Sequence, residues 1–452
     1  MTNVQRGIPS TSMTRRRFLT YSALGAGSVA GAGALLQACS TSSSAPGTTT
    51  LTVMYQANEF LPAYISDFQK QHTDIKIHFL EYDAVRLSAM LAAGQPPDFI
   101  RTGGAAVMPN LIARGLVADL TPYFEKSTAI KTSDLYPVND VYRWNGKVQG
   151  LGARYGMAKD WSQDTMLWYN KKLFDKAGVA YPSATQPMTY DQMLAIGEKL
   201  TVKSNGKIQI YGLDPTYGAF TQGRLIQMVV QQGGSIYSDD YTKADLTTPE
   251  ARAAIKWYVD WAQAHVGPSP LDPGDNWSTL FPADRAAMVL FGYWFSGEVA
   301  SWAAVQDHVG FAPAPVMGPK RVSPCLTGTG AWIPAASKKK DAAWTLMEYF
   351  MAGKPAHDRA SSGWGIPSLK SLASEMPKAK PFQQQAYEAV QNELPYLEIL
   401  HFSPYISDDA FSAAFTKTIE PVMHGQVSLE SGISQFNDAI NLLLQQGKQQ
   451  VS

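Results

Sequence analysis

Polar side chains follow three predicted strands in the first quarter of this 452-residue chain. They carry amide, carboxylate, guanidinium, phenol or hydroxyl groups, and they are Gln56, Asn58, Glu59, Glu81, Tyr82, Arg101 and Thr102. Such groups pair with the hydroxyls of a polar ligand. In open α/β sheets, ligands lie beyond the carboxyl ends of the strands. The pattern therefore predicts a ligand-binding edge, and we take Gln56, Asn58 and Glu81 as candidate contacts.

Catalytic and metal-binding patterns are weak by comparison. The sequence has no Gly-x-Ser-x-Gly, His-Glu-x-x-His, Walker A or Cys-x-x-Cys motif. Its seven histidines are scattered without metal-ligand spacing, so neither a metal site nor a cofactor is predicted. Carboxylates are abundant, and sequence order does not fix their separation. A glycosidase pair therefore stays open.

The elements that position these residues follow from the hydrophobic periods. Residues 51–55 and 75–80 have the composition or alternation of strands, and residues 60–71 and 85–93 have helical spacing. Residues 97–100 begin a further extended segment. This order is typical of a parallel sheet with helices on its faces.

Three later helices carry clear start signals. Thr189, Thr248 and Ser407 are predicted N-caps of helices over residues 189–200, 249–265 and 408–419. Further helices are predicted at residues 221–232, 340–351 and 429–446, and further strands at residues 208–211 and 288–291.

The N-terminal residues predict export and lipid attachment. Arg15-Arg16-Arg17-Phe18-Leu19 precedes a soft apolar run that Leu36-Gln37-Ala38-Cys39 closes. The arginine pair resembles a twin-arginine signal, with unfolded secretion as the alternative route, and the last four residues resemble a bacterial lipobox. A transmembrane anchor is less compatible with so short a run, rich in Gly, Ala and Ser. Residues 1–38 are therefore predicted as a signal peptide, Cys39 as the lipidated residue and residues 39–50 as a tether.

Charge and cysteine content limit the partners of the remaining chain. Removal of residues 1–38 leaves 414 residues, enough for two lobes, with 34 basic and 38 acidic side chains and a net charge of −4. This argues against nucleic acid as a partner, because nucleic acid binds a basic face. With Cys39 lipidated, Cys325 has no disulfide partner and is predicted as a small buried residue.

Five stretches carry a family resemblance by their order and spacing. They are Tyr-Asn-Lys-Lys-Leu-Phe-Asp-Lys-Ala-Gly at 169–178, Met-Thr-Tyr-Asp-Gln-Met at 188–193, the segment 281–294 ending in Gly-Tyr-Trp, Gly-Ala-Trp-Ile-Pro at 330–334, and Gly-Ile-Pro at 365–367. The chain resembles the bacterial extracellular solute-binding proteins of ABC importers, in their carbohydrate-type group. Asp284 departs from the pattern, since glycine is commoner there.

The resemblance implies an α/β, two-lobed periplasmic-binding-protein-like fold. Each lobe would be a mostly parallel sheet flanked by helices, and a hinge would join the two. Lobe 1 is expected at residues 51–160 and 323–366, and lobe 2 at residues 161–322 and 367–452. The chain would cross between them near residues 155–167, 321–330 and 366. The ligand would then bind in the cleft and favour the closed state.

Aromatic residues near these crossings complete the candidate site. Flat rings stack on the C–H faces of sugars, and polar groups pair the hydroxyls. The further candidate contacts are Tyr155, Asp160, Trp161, Tyr217, Tyr293, Trp294, Gly328, Thr329 and Trp364. The resemblance favours Trp294 as a stacking ring. For Trp161 and Tyr217, ligand contact and a place in the core both stay open.

These observations predict a lipid-anchored substrate-binding protein of an ABC importer. It would capture a sugar or oligosaccharide and deliver it to permease subunits, as a monomer without enzymatic activity. Two alternatives stay open: a binder of a glycerophosphodiester, suggested by the glycine-rich segment at 328–330, and a surface enzyme that degrades polysaccharide.

Overall fold

Short strands and helices succeed one another along the chain. A computed structural model describes residues 47–216 and 221–451. The strands are β1 (Thr49–Tyr55), β2 (Ile75–Glu81), β3 (Phe99–Thr102), β4 (Arg143–Trp144), β5 (Ala153–Arg154), β6 (Met157–Ala158), β7 (Asp160–Trp161), β8 (Leu167–Asn170), β9 (Val202–Ser204), β10 (Lys207–Ile210), β11 (Met288–Leu290), β12 (Val309–Ala312), β13 (Gly330–Trp332) and β14 (Ile366–Pro367).

The helices are α1 (Pro62–Gln71), α2 (Ala84–Ala92), α3 (Met108–Ala113), α4 (Thr121–Lys126), α5 (Lys171–Ala177), α6 (Tyr190–Leu200), α7 (Thr221–Gln231), α8 (Pro249–Gln263), α9 (Trp277–Leu280), α10 (Phe295–Ser301), α11 (Lys340–Ala352), α12 (Lys354–Ser362), α13 (Pro381–Glu393), α14 (Asp408–Met423) and α15 (Leu429–Val451).

The larger sheet brings the carboxyl ends of three strands to one edge. Its strand order is β2-β1-β3-β13-β6, with β1 parallel to β2 and β3. Tyr55 at the end of β1 is in register with Glu81 at the end of β2. β13 is antiparallel to β3, so Gly330 at its start pairs with Thr102 at the end of β3. The polar residues that follow β1, β2 and β3 therefore share an edge, as the sequence predicts.

The smaller sheet differs from the mostly parallel arrangement expected in each lobe. β8 lies between β11 and β12 and is antiparallel to both. Parallel pairing is confined here to isolated bridges, Tyr211 with Ala286 and Asp214 with Val289. The chain enters β8 directly from the segment that leaves the larger sheet. That passage, rather than a crossover helix, sets the direction of β8.

An aromatic core lies beside β1. Phe350 of α11 packs against Tyr55 and Phe60, with ring centroids 5.2 and 4.7 Å apart. All three rings are buried, and each contributes about 1.5–3 kcal/mol through burial. This packing fixes α11, and α12 after it, near the carboxyl end of β1.

The three predicted crossings lie side by side. β7 pairs with β14, so Trp161 is in register with Ile366. Asp164 Oδ2 accepts hydrogen bonds from the amides of Leu326 and Thr327, at 2.8 and 3.0 Å. Segments far apart in sequence are thus tied together by backbone pairing and one buried carboxylate. The exact bounds of the two lobes stay a prediction.

The predicted helix starts are confirmed. Thr189 and Gln192 form a reciprocal capping box, with bonds of 3.1 and 2.8 Å. The hydroxyls of Thr248 and Ser407 each accept an amide three residues on, both at 3.2 Å. These signals are local, which is why the sequence alone reveals them.

Several predictions concern residues that the structure does not describe. The signal peptide, Cys39 and most of the tether lie outside the described residues, as does Tyr217. The tether ends earlier than predicted, because Thr49 already pairs with Ile75 in β1. Within residues 47–216 and 221–451, no helix combines the length and apolarity needed to span a bilayer. Cys325 is buried, as predicted, and burial raises the pKa of its thiol.

Candidate ligand-binding site

A pocket of about 300 Å³ opens beyond the carboxyl end of β1. Its wall combines charged, amide, hydroxyl and aromatic side chains from the turn after β1, from the residue before β7 and from α12 with the loop after it. The lining residues are Asn58, Glu59, Leu61, Tyr64, Lys159, Asp358, Arg359, Ser362 and Trp364. The volume falls at the small end of the range for small-molecule sites.

Glu59 and Lys159 form the floor of a buried charge network. The Glu59 carboxylate accepts two hydrogen bonds from Arg101, at 2.7 and 2.9 Å. Lys159 Nζ lies 3.7 Å from Glu59 Oε1 and 2.5 Å from Asp160 Oδ2. Burial acts to raise the pKa of Glu59, but Lys159 and Arg101 outweigh it and hold that pKa below its ordinary value. Glu59 is therefore ionised at neutral pH.

Arg359 of α12 is a buried cation on the pocket wall. Its guanidinium lies 4.5 Å from the centre of the Phe350 ring, and Nη2 donates to the Phe350 carbonyl at 2.7 Å. Its Nε and Nη1 have no hydrogen-bond partner among the residues that the structure describes. Burial lowers the pKa of Arg359, although the charges of Asp160 and Glu59 act in the opposite direction.

Trp364 supplies the flat surface of the pocket. Its side chain is 42% exposed, although most tryptophans of the described chain are more buried. Gly363 ends α12 in the left-handed conformation, with φ of +79°, and turns the chain towards the pocket. A Cβ at Gly297 would lie 2.9 Å from Cγ of Trp364, so the indole lies directly against a glycine of α10. Its position depends on that missing side chain.

Five of the candidate contacts lie in or beside this pocket. Asn58 and Trp364 line it, and Asp160 pairs with Lys159 in its wall. Glu81 accepts a hydrogen bond from the amide of Ala57, at 3.1 Å, and the Gln56 carbonyl accepts the amide of Glu59, at 3.0 Å. These two residues therefore shape the turn that carries Asn58 and Glu59.

The hinge candidates are mostly engaged in protein contacts. The Thr329 carbonyl accepts the amide of Lys159, at 2.8 Å, and the Gly328 carbonyl accepts the Tyr142 hydroxyl, at 2.7 Å. Trp161 is 1% exposed and packs against Tyr136, with centroids 5.3 Å apart. Its Nε1 has no partner within the described part of the chain.

Tyr155 does not line the pocket. It is half-buried and packs against a hydrophobic core cluster, and its amide donates to the carbonyl of Tyr142, at 2.8 Å.

Trp294 belongs to a cluster of aromatic rings, and Tyr293 lies in the same hydrophobic core. Tyr293 is fully buried, and Trp294 is half-buried with its ring 4.8 Å from Phe291, 5.8 Å from Phe295 and 5.8 Å from Trp277. The Trp294 amide donates to Ser162 Oγ at 3.0 Å. The structure thus places these two residues beside the first crossing, while the pocket lining comprises other side chains.

Sequence reasoning missed Lys159, Arg359 and Ser362. Arg359 lies in a helix whose other residues are mostly small or polar, so its pattern indicates a solvated surface. Lys159 stands next to a candidate, Asp160, and that adjacency was the one signal available. Within the described ranges, no group of three or more potential metal ligands forms a metal site.

A second, smaller hollow of about 110 Å³ is lined by Gly103, Ala106, Val107, Gly223, Leu326, Thr327, Phe402 and Asp408. It is mainly apolar. Burial and the neighbouring Asp409 raise the pKa of Asp408 to about 6.

Comparisons with known proteins agree with the fold. A family model described as bacterial extracellular solute-binding protein matches residues 54–352. An ABC transporter extracellular-binding protein of Pyrococcus horikoshii is 21% identical over 414 residues, which covers 85% of this chain and 80% of that protein. The diacetylchitobiose binding protein of Streptomyces coelicolor is 23% identical over 321 residues, covering 69% and 70%.

Among solved structures, an ABC substrate-binding protein of Listeria monocytogenes in complex with cycloalternan superposes with a TM-score of 0.73. It is 25% identical, and the match covers 87% of this chain and 98% of that one. The expected two-lobed α/β fold is thereby confirmed.

Proposed function

Since the chain belongs to the bacterial extracellular solute-binding protein family, we propose that it captures a sugar or oligosaccharide for an ABC importer. The ligand binds in the pocket beside Trp364. The loaded protein docks on permease subunits, and a separate ATPase supplies the energy. The protein acts as a monomer, held at the outer face of the membrane by lipid on Cys39, and needs no cofactor.

The observation that carries this proposal is the exposed indole of Trp364 beside convergent polar groups. A sugar presents an apolar C–H face to a ring and hydroxyls to its surroundings. Asn58 and Ser362 supply neutral donors and acceptors on the same wall. One similar protein was solved in complex with cycloalternan and another is named as a diacetylchitobiose binding protein, which supports the same ligand class.

The adjacent crossings provide the hinge for capture. By the predicted bounds, Trp364 belongs to lobe 1 and Gly297, against which it lies, belongs to lobe 2. A ligand on the indole would therefore contact both lobes when they close. Because the ligand binds the closed state more tightly, it shifts the population towards that state. The permease then recognises the closed, loaded form.

A glycosidase is less compatible with the pocket. Glycoside hydrolysis requires one carboxyl that is protonated and one that is free to attack or to activate water. Glu59 is held ionised by two cations. Asp358 forms an ion pair with Lys354, with contacts of 2.6 and 2.8 Å. Neither carboxylate is placed for that chemistry.

The test is a thermal-shift screen over a library of mono- and oligosaccharides, with glycerophosphodiesters included. A binding protein gains stability with the logarithm of the ligand concentration once that concentration exceeds the dissociation constant. We expect at least one sugar to raise the melting temperature and to be recovered intact after overnight incubation. Hydrolysis of the sugar would support the enzyme instead, and a shift with glycerophosphodiesters alone would overturn the sugar assignment.

A further inference from the structure

Among the described residues, one cation of the pocket has no ion-pair partner. Three ion pairs lie around it: Glu59 with Arg101, Asp160 with Lys159, and Asp358 with Lys354. Arg359 forms no ion pair with any residue of the described chain. It is nevertheless the most buried of the pocket's charged groups after Lys159, with 9% of its surface exposed.

Burying a guanidinium without a counterion is costly. Transfer of an unpaired charge from water is among the largest penalties in folding, and each unmet donor adds to it. Arg359 keeps only the Phe350 carbonyl and the face of the Phe350 ring. Its Nε and Nη1 are shielded from solvent and have no partner among the described residues.

We propose that Arg359 is the counterion for an acidic sugar, so that the ligand is a uronic acid or an oligosaccharide ending in one. This inference rests on the proposed function and narrows its ligand class. A carboxylate offers two oxygens that only accept, which suits the unmet N–H donors. The sugar ring stacks on Trp364, which lies in the same pocket wall five residues further along the chain.

A neutral sugar satisfies this wall less well. Its hydroxyls can accept from Nε or Nη1, but they bring no negative charge, so Arg359 keeps only the more distant charges of Asp160 and Glu59. A phosphate monoester adds nearly two negative charges and would face Glu59 and Asp358. A single carboxylate balances the one pocket cation that has no ion-pair partner among the described residues, and it meets less repulsion from Glu59 and Asp358 than a phosphate does.

The first experiment uses the wild-type protein and three forms of each sugar. Calorimetric titration compares galacturonate, glucuronate and mannuronate, and their dimers, with the methyl esters and with the neutral parent sugars. Esterification removes the charge and keeps the ring. We expect one uronate to bind about 10- to 100-fold more tightly than its ester and its parent sugar, the range of a hydrogen bond to a charged group.

The second experiment asks whether Arg359 is responsible. Arg359→Gln should abolish the preference for the uronate over its ester, and Arg359→Lys should keep part of it because the charge remains. Circular dichroism and melting temperature establish that both variants fold. If both unfold, the wild-type comparison with esters still decides the proposal.

The outcomes separate this inference from the proposed function. Binding of neutral sugars with no preference for any uronate overturns the acidic ligand and leaves the sugar-binding function intact. Binding of no sugar at all overturns both. A uronate preference that persists in a folded Arg359→Gln variant would assign the charge recognition elsewhere and overturn the role of Arg359.

Discussion

Trp364 and Trp294 were both predicted to contact the ligand, and the structure places them in different surroundings. Trp364 lies against a single glycine of α10 and keeps 42% of its surface exposed. Trp294 is the N-cap residue of α10, and its ring packs among Phe291, Phe295 and Trp277. Because its neighbour is a glycine, the Trp364 ring keeps one face open to a ligand. The faces of the Trp294 ring are instead packed against other aromatic rings.

The carboxylates of the pocket and of the ring cluster also differ in the direction of their pKa shifts. Glu59 in the pocket has two cations beside it, and these lower its pKa. Asp164 lies beside the ring cluster, where a Cβ at Gly292 would come within 3.1 Å of its Oδ1. Burial raises the pKa of Asp164 to about 6, although amide donors oppose the rise. The pocket is thus built for charge and the ring cluster for packing.

The largest expected effect comes from Phe295→Ala. Phe295 is fully buried and contacts Trp294, Phe291, Trp277 and Trp302. Its loss should lower the free energy of unfolding by about 3–5 kcal/mol, through lost burial and a cavity. Urea denaturation measures this. The matched variant Trp364→Ala should cost about 1 kcal/mol or less, because the ring is partly solvated. Equal losses of unfolding free energy in the two variants would contradict the contrast between a packed ring cluster and an exposed Trp364.

A second prediction concerns pH. The pKa of Asp164 is about 6 in the fold and 3.8 by its ordinary value, so the folded state holds the proton more tightly. The free energy of unfolding should therefore fall as pH rises from about 4 to about 6, by about 1–3 kcal/mol for this group. Asp164→Asn should remove this pH-dependent contribution. The free energy of unfolding of the variant should therefore rise relative to that of the wild type as the pH goes from 4 to 7.

Glu59→Gln is the control with the opposite sign. The folded-state pKa of Glu59 is lowered, so its contribution is present above its ordinary pKa and disappears in acid. The free energy of unfolding of Glu59→Gln should therefore fall furthest below that of the wild type at neutral pH. An unchanged stability difference across pH for Asp164→Asn would contradict the account of its burial.

A third prediction concerns ligand affinity. Trp364→Ala should weaken binding of the sugar found in the screen about tenfold, or about 1.4 kcal/mol, through loss of the stacked face. Isothermal titration calorimetry gives the value. Tyr181→Ala removes an equally exposed ring, 45% exposed, and should leave affinity unchanged. Weakened binding in Trp294→Ala, with Trp364→Ala unaffected, would reverse the comparison.

Local signals explain what could be predicted from the sequence. The caps at Thr189, Thr248 and Ser407 depend on residues three positions away, and the alternation of β2 depends on its own pleat. The shared edge of β1, β2 and β3 follows from a general rule of parallel sheets. None of these needs knowledge of distant segments.

The pocket wall depends on distant contacts and could not be read in the same way. Trp364 takes its place because Gly297 lacks a side chain, and Arg359 is buried against the ring and the carbonyl of Phe350. Each of these partners lies on another element. The sequence marks Trp364 only by its flanking glycines, and it marks Arg359 as one more charge on a polar helix.

The most direct measurement is a crystal structure of the protein with the sugar that stabilises it most in the thermal-shift screen. We expect the sugar ring to stack on the Trp364 indole, with hydrogen bonds to Asn58 or Ser362 and the two lobes closed around it. A sugar stacked on Trp294, with the pocket beside Trp364 left unfilled, would contradict the central claim.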